Sequence, residues 1–272
     1  MVAGRSSVGS SRIDSRSPGR VLPGAGSSPV ALSKVFFFPD SHIPNEHENY
    51  DVALRACRAF APSTIVLLGD WMDAESLSSH APTKPGIRDF QEELDYAKHR
   101  LDELDNLPGV HKKVYIMGNH EWRLERYLAE RAPALFKSVN LATLLGLRER
   151  GWVTSAYHET YKLGKLNITH DTGSAGLNAH RSAATDHMGS TIIGHTHRMA
   201  YEVRGKLGGE PYVAAMFGWL GDAKKIDYLH QAKAAHWSHG FGLGYVQTSG
   251  VVHIVPVPIV RGECVVEGRL VR

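Results

Sequence analysis

The chain has 272 residues, 42% of them hydrophobic and 22% charged, with a formal net charge of +3. These values are ordinary for a globular protein. They leave no run near the ~20 apolar residues of a membrane-spanning helix, and no apolar core of a secretory signal. The excess charge lies in residues 1–33, where Arg5, Arg12, Arg16 and Arg20 outnumber Asp14, so the pI makes no case for a nucleic-acid-binding face on the rest.

In chain order, residues 1–33 carry nine Ser, five Gly, three Pro and no aromatic residue. Such a segment buries too little apolar surface to offset its ordering entropy. It is expected to be a disordered tail before one domain spanning residues 34–272. From Lys34 the pattern changes. Val35 to Phe38 reads as a buried strand ending at Pro39-Asp40. Residues 47–61 show helical spacing up to Pro62, Ile65 to Leu68 form a second strand ending at Gly69-Asp70, and residues 89–106 form a second helix. Val114 to Met117 form a third strand ending at Gly118-Asn119, followed by a helix over 121–131. This βαβαβ start predicts a parallel sheet with helices on both faces.

The second half is richer in β signals. Strands are expected over 152–157, 160–163, 165–169 and 190–193, with a helix over 175–187. A hairpin is expected from 199–204 to 211–217, and further strands over 244–248, 251–257 and 264–271. These strands are assigned to a second sheet packed on the first. The fold class is therefore α/β, with two packed mixed sheets flanked by helices in four layers. Pro82 to Gly86 reads as a loop. Cys57 and Cys264 have no CxxC spacing and read as reduced thiols, which fits a cytoplasmic setting.

Polar residues at strand ends carry the chemistry. Asp40, Asp70 and Asn119 each lie just past the C-terminal end of an expected strand, the edge where open α/β sheets collect ligands. Five motifs occur in order: Asp40-Ser41-His42, Gly69-Asp70-Trp71-Met72-Asp73, Gly118-Asn119-His120-Glu121, Thr169-His170-Asp171 and Gly194-His195-Thr196-His197. They offer two carboxylates, one amide oxygen and four imidazoles, a mixed set for two adjacent metal ions. In extended backbone, residues i and i+2 share a face, so Asp40 and His42 can grip one ion. His195 and His197 have the same spacing, one for each ion. Asp70 is the natural bridge, because a carboxylate has two oxygens. The eleven histidines outside the motifs, and Trp71, Trp122, Trp219 and Trp237, read as structural residues.

This pattern resembles the calcineurin-like metallophosphoesterase superfamily over residues 35–197. The resemblance implies that Asp40, His42, Asp70 and His197 bind one metal, and that Asp70, Asn119, His170 and His195 bind the other. It implies that His120 is the acid–base residue, oriented by Asp73, with Glu121 as a buried support. It also implies hydrolysis of a phosphate ester by a hydroxide bridging two divalent ions, Mn favoured over Fe, Zn or Ni. Locally, Gly118 to Leu124 with Arg126-Tyr127-Leu128, Gly194 to Arg198, and Trp237 to Phe241 are similar to small phage and prophage metallophosphoesterases. That places the chain in the cytoplasm of a bacterial or phage-infected cell.

Protein Ser/Thr phosphatases of the superfamily have Arg after the second Asp of GD-x-x-D; here Ala74 stands there. A monoester dianion gains more than a diester from such a guanidinium. The expected substrate is therefore a phosphodiester of nucleic acids or nucleotides. Arg198 and Arg123 are the candidate substrate contacts, with Arg181 as a further cation. A phosphomonoesterase, and then a non-catalytic metal-binding module, are the alternatives. The residue after His170 is Asp171, where many relatives have Gly.

Overall fold

The structure is a computed structural model and describes residues 31–79, 89–226 and 235–272. Residues 1–30 of the expected tail, and the expected loop Pro82 to Gly86, lie outside the described residues. Within residues 32–272 the first strand opens at Ser33, one residue before the expected boundary.

The first sheet has six strands. β1 (Ser33–Phe38), β2 (Thr64–Leu67), β3 (Lys112–Ile116) and β4 (Trp152–Ser155) run parallel, in that order. β10 (Gly240–Val246) pairs antiparallel with β1, and β11 (Val252–Pro258) pairs antiparallel with β10. The second sheet has order β5-β6-β7-β9-β8. Its strands are β5 (Tyr161–Leu163), β6 (Leu166–Thr169), β7 (Thr191–Ile193), β8 (Met199–Lys206) and β9 (Gly209–Phe217). The central three, β6, β7 and β9, are parallel.

Alternation along the strands divides the core. Phe36 and Phe38 of β1 point to one side, with Ile65, Leu67 and Tyr115. There they meet helices α1 (Asn49–Phe60) and α2 (Phe90–Asp105), and Leu124 and Leu128 of α3 (Trp122–Arg131). Val35 and Phe37 point to the other side, with Val66 and Val114, and pack on Leu166, Ile168, Ile192 and Phe217 of the second sheet. Ala179 and Ala183 of α4 (Ala179–Asp186) cover the outer face of that sheet against Ile193 and Met216. The result is helix, sheet, sheet, helix, the four expected layers.

Three expectations are corrected. The first sheet has helices on one face only; its other face is the second sheet, so both faces of β1 to β3 are apolar without any second helical layer. The strands near 244–248 and 251–257 extend the first sheet beside β1, not the second. Residues 264–271 are not one strand. They are a two-stranded hairpin, β12 (Cys264–Val266) and β13 (Arg269–Val271). Glu267 (φ 47°) and Gly268 (φ 78°) turn it with positive φ at both central positions, the geometry that tight hairpins favour. Cys57 and Cys264 are buried free thiols, and no described helix is long and apolar enough to cross a membrane.

Candidate metal centre

Each candidate ligand leaves the C-terminal end of a parallel strand. Asp40, Asp70 and Asn119 follow β1, β2 and β3 of the first sheet; His170 and His195 follow β6 and β7 of the second. Hydrogen bonds join the two rims. His195 N donates to Asp40 Oδ1 at 2.7 Å, and His170 Nδ1 donates to Leu68 O at 2.9 Å.

The turns that do this are strained. His42 (φ 52°), Asp70 (φ 45°), His195 (φ 66°) and His197 (φ 57°) all have left-handed backbone. Each such non-glycine residue costs on the order of 1–3 kcal/mol, held in place by the surrounding structure. The expected extended pairing at i and i+2 is therefore corrected: neither Asp40-x-His42 nor His195-x-His197 is extended. Asp40 and His42 still converge, with His42 in left-handed backbone.

Three groups of donors form among the described residues; the third, His42, Asp73 and His120, adjoins the other two. In the first, one ligand atom from each of Asp40, His42, Asp70 and His197 lies within 4.8 Å of the others. His42 Nε2 stands 3.1 Å from His197 Nε2, and His197 Nε2 lies 3.4 Å from Asp40 Oδ1. In the second, Asp70, His170 and His195 meet the same criterion. Asn119 Oδ1 sits between their imidazoles, 2.8 Å from His195 Nδ1 and 3.1 Å from His170 Nε2. Asp70 belongs to both groups, and its Oδ2 is 3.2 Å from His170 Nε2. All seven expected ligands are thus brought together.

The residues fit metal cations. Asp40 Oδ2 and His197 Nδ1 are buried without a hydrogen-bond partner, a costly condition for polar atoms in a protein interior. Two facing imidazole nitrogens need a shared partner, and at most one proton can lie between them. His170 and His42 each give Nδ1–H to an oxygen, Leu68 O and Asp73 Oδ1 (3.3 Å), which leaves Nε2 as the nitrogen turned toward the donor groups, as in metal-binding histidines. Two motif glycines admit the carboxylates. A Cβ at Gly194 would lie 2.8 Å from Asp40 Oδ2, and one at Gly118 would collide with the Asp70 carboxylate.

Beside these groups, His120 Nδ1 lies 2.7 Å from Asp73 Oδ1, and His120 Nε2 lies 3.7 Å from Asp70 Oδ2. Asp73 also accepts from His42, and from Asn45 Nδ2 at 2.6 Å. One carboxylate therefore orients both His42 and His120. Glu121 is 2% exposed, and its carboxylate accepts from the backbone N–H of Asp70 (2.9 Å), Met72 (3.0 Å) and Gly118 (2.8 Å) and from Tyr115 Oη (2.8 Å). It ties the exits of β2 and β3 together.

Electrostatics follow from burial and crowding. Burial raises the pKa of Asp70, but the His120, His170 and His42 charges outweigh it and hold the carboxyl well below the usual range. Asp73 is likewise held low by its bonds to His120 and His42 against the cost of burial. Burial pushes His170 down, yet Asp70 and Asp40 lift it to about 10. Burial takes His197 down to about 4 despite Asp40, so that pair is a carboxylate with a neutral imidazole. His120 is lowered by burial and by Arg123 and His42.

The arginines are placed differently. Arg123 is 6% exposed; it donates to Asp73 O at 3.0 Å and lies with Nη2 3.1 Å from His120 Nε2. Arg198 donates to Ala175 O at 3.1 Å. Arg181 of α4 pairs with Glu202 of β8.

Sequence reading missed several participants. Asn45 holds Asp73, and the Leu68 carbonyl orients His170. Trp219 stacks on His197 at 4.8 Å and 10°, with the Trp237 ring edge-on at 4.2 Å. The Trp237 to Phe241 segment thus backs a candidate ligand. No signal pointed to Asn45, which lies outside any motif.

No protein-family model matches this chain, and no curated protein sequence does. Solved structures do match. One, described as the structural and biochemical characterization of YfcE, a phosphoesterase from E. coli, is 15% identical, with 82% of this chain and 98% of that chain covered and a TM-score of 0.39.

Proposed function

We propose that the chain is a phosphoesterase of the calcineurin-like type that works with two divalent metal ions, Mn²⁺ favoured, on phosphodiesters of nucleic acids or nucleotides. The observation that carries this reading is the pair of donor groups sharing Asp70, buried except for the half-buried His195, with His120 alongside. Asp40, His42, Asp70 and His197 would hold one ion; Asp70, Asn119, His170 and His195 would hold the other. When bound, such ions acidify water at neutral pH and offset phosphate charge.

The chain's own residues do the rest. Asp73 accepts the Nδ1 proton of His120 and fixes the ring, so Nε2, which faces the Arg123 guanidinium, is the nitrogen that would exchange a proton with the departing ester oxygen. Arg123 anchors on Asp73 O and meets His120 Nε2, so a leaving oxygen that reaches this nitrogen also meets a guanidinium. Glu121 keeps the Asp70 turn from shifting away from Asn119. Preference for a diester rests on Ala74. No arginine side chain extends from the position after Asp73, and Arg123 is already held by backbone oxygen. The phosphomonoesterase alternative rests on that same Arg123 beside His120.

The test is hydrolysis of bis-p-nitrophenyl phosphate and p-nitrophenyl phosphate with added Mn²⁺, using His120→Ala as control. Faster diester turnover that the substitution removes supports the reading. Faster monoester turnover replaces it with a phosphatase, and no metal-stimulated turnover of either ester refutes it.

A further inference from the structure

Beside the second donor group lies a cavity of about 170 Å³ that the chemistry above leaves unused. Met117, Trp122, Glu125, Asn140, Thr154 and Tyr157 are among its lining residues. Its position is set by the fold. Met117 and Trp122 flank the Gly118-Asn119-His120 turn, and Thr154 and Tyr157 come from the neighbouring strand β4 and the residues after it. The cavity and the candidate ligand Asn119 therefore share one turn. Tyr157 stands between the two. Its ring centroid is 5.8 Å from that of Trp122 and 6.3 Å from that of His170.

Size and chemistry limit the occupant. A cavity of roughly 150 Å³ admits one benzene ring, so this one suits a single flat ring system. Trp122 and Tyr157 give it two aromatic walls, and Trp122 is 40% exposed, unlike Trp71 and Trp219, which are packed at 0% and 3%. The sequence reading of Trp122 as a packing residue is thereby corrected. Glu125 and Asn140 add a carboxylate and an amide among these walls. Aromatic faces for stacking with a few polar groups for an N–H-bearing edge are how proteins hold an unpaired base.

We propose, resting on the phosphodiesterase reading, that this cavity is a nucleobase subsite. It would take the base of the nucleotide whose phosphate lies at the Asp70 centre, with the ring against Trp122 and Tyr157 and its N–H groups toward Glu125. A guanine ring, which offers adjacent N–H donors to a carboxylate, is the base best matched to it.

The test reads binding, not turnover. Guanosine 5′-monophosphate, ribose 5-phosphate and phosphotyrosine are titrated by calorimetry into the full chain with Mn²⁺. Guanosine monophosphate should bind about tenfold or more tighter than ribose 5-phosphate, in line with one stacked base. Trp122→Ala should erase that gap, whereas Trp122→Phe, which keeps a ring, should retain most of it. Equal affinity for the nucleotide and the sugar phosphate would overturn the proposal. So would a gap that survives Trp122→Ala, or tighter binding of phosphotyrosine, which would assign the cavity to a phosphoprotein side chain. A nucleotide preference without diester turnover would support the subsite and refute the enzyme reading; diester turnover without the preference would do the reverse.

Discussion

The six-stranded sheet contributes mainly oxygen to the candidate centre, through Asp40, Asp70 and Asn119, with His42 as its one imidazole; the five-stranded sheet contributes nitrogen alone, through His170, His195 and His197. Neither set is adequate by itself. Buried carboxylates repel one another and need compensating charge, and a lone histidine cluster has no anion to balance a cation. The two sets meet because Phe37, Val66 and Val114 of one sheet pack on Ile168, Ile192 and Phe217 of the other. Apolar packing between the sheets thus brings together a polar site at their common rim. The strain of four left-handed ligand positions is borne at that rim rather than within the strands.

The largest effect should come from the residue common to both halves. Asp70→Asn is expected to lower metal-stimulated turnover by well over ~10²-fold, beyond the loss usual for a residue that only supports a ligand. Metal content would be measured alongside; an active variant that keeps two ions would break the idea of a bridging carboxylate. His120→Ala should come next, lowering kcat by ~10²–10⁴-fold with the metal content unchanged. Loss of metal together with activity would instead make His120 a ligand.

A smaller effect concerns the first sheet alone. Glu121→Gln places an amide where three backbone N–H groups and Tyr115 need acceptors. Urea unfolding should show a loss of about 1–3 kcal/mol, and unchanged stability would mean that the exits of β2 and β3 do not depend on this carboxylate.

The pH response sharpens the contrast from the side of the second sheet. His170 is raised from 6.5 to about 10. Its imidazolium pairing with Asp70 stabilises the metal-free protein fully below about pH 6.5, and that contribution is lost as pH rises toward about 10. A cation at Nε2 must displace this proton, so metal affinity should climb by roughly tenfold per pH unit across the same window. Titrations of Mn²⁺ at pH 6.5 and 8.5 check the sign; equal affinities would show that no such proton is released.

The oxygen half was more legible in the sequence than its setting. Val35 to Phe38, Ile65 to Leu68 and Val114 to Met117 are apolar runs cut short by a polar residue, so strand ends and candidate ligands announce themselves together. Strand partners do not. Nothing in the alternation of Gly240 to Val246 says that it pairs with β1, because periodicity reports which residues are buried and not which strand lies alongside. The left-handed turns at His42, Asp70, His195 and His197 were equally hidden, since Asp and His adopt positive φ more often than most residues but too rarely to mark a given position. The sequence motif marks Arg123 as a candidate substrate contact, but its burial against Asp73 and His120 arises from tertiary packing. The aromatic cavity was invisible for a similar reason. Trp122 and Tyr157 are 35 positions apart and meet only through the parallel pairing of β3 with β4.

The central claim is that Asp70 joins two metal positions, one needing His42 and His197 and the other needing Asn119, His170 and His195. The most direct measurement is the stoichiometry of Mn²⁺ binding to the metal-stripped full chain, compared with that of His195→Ala. Two ions per chain, falling to one in the variant, is the predicted result. A single ion in the unaltered chain, or two ions retained after His195→Ala, would contradict it.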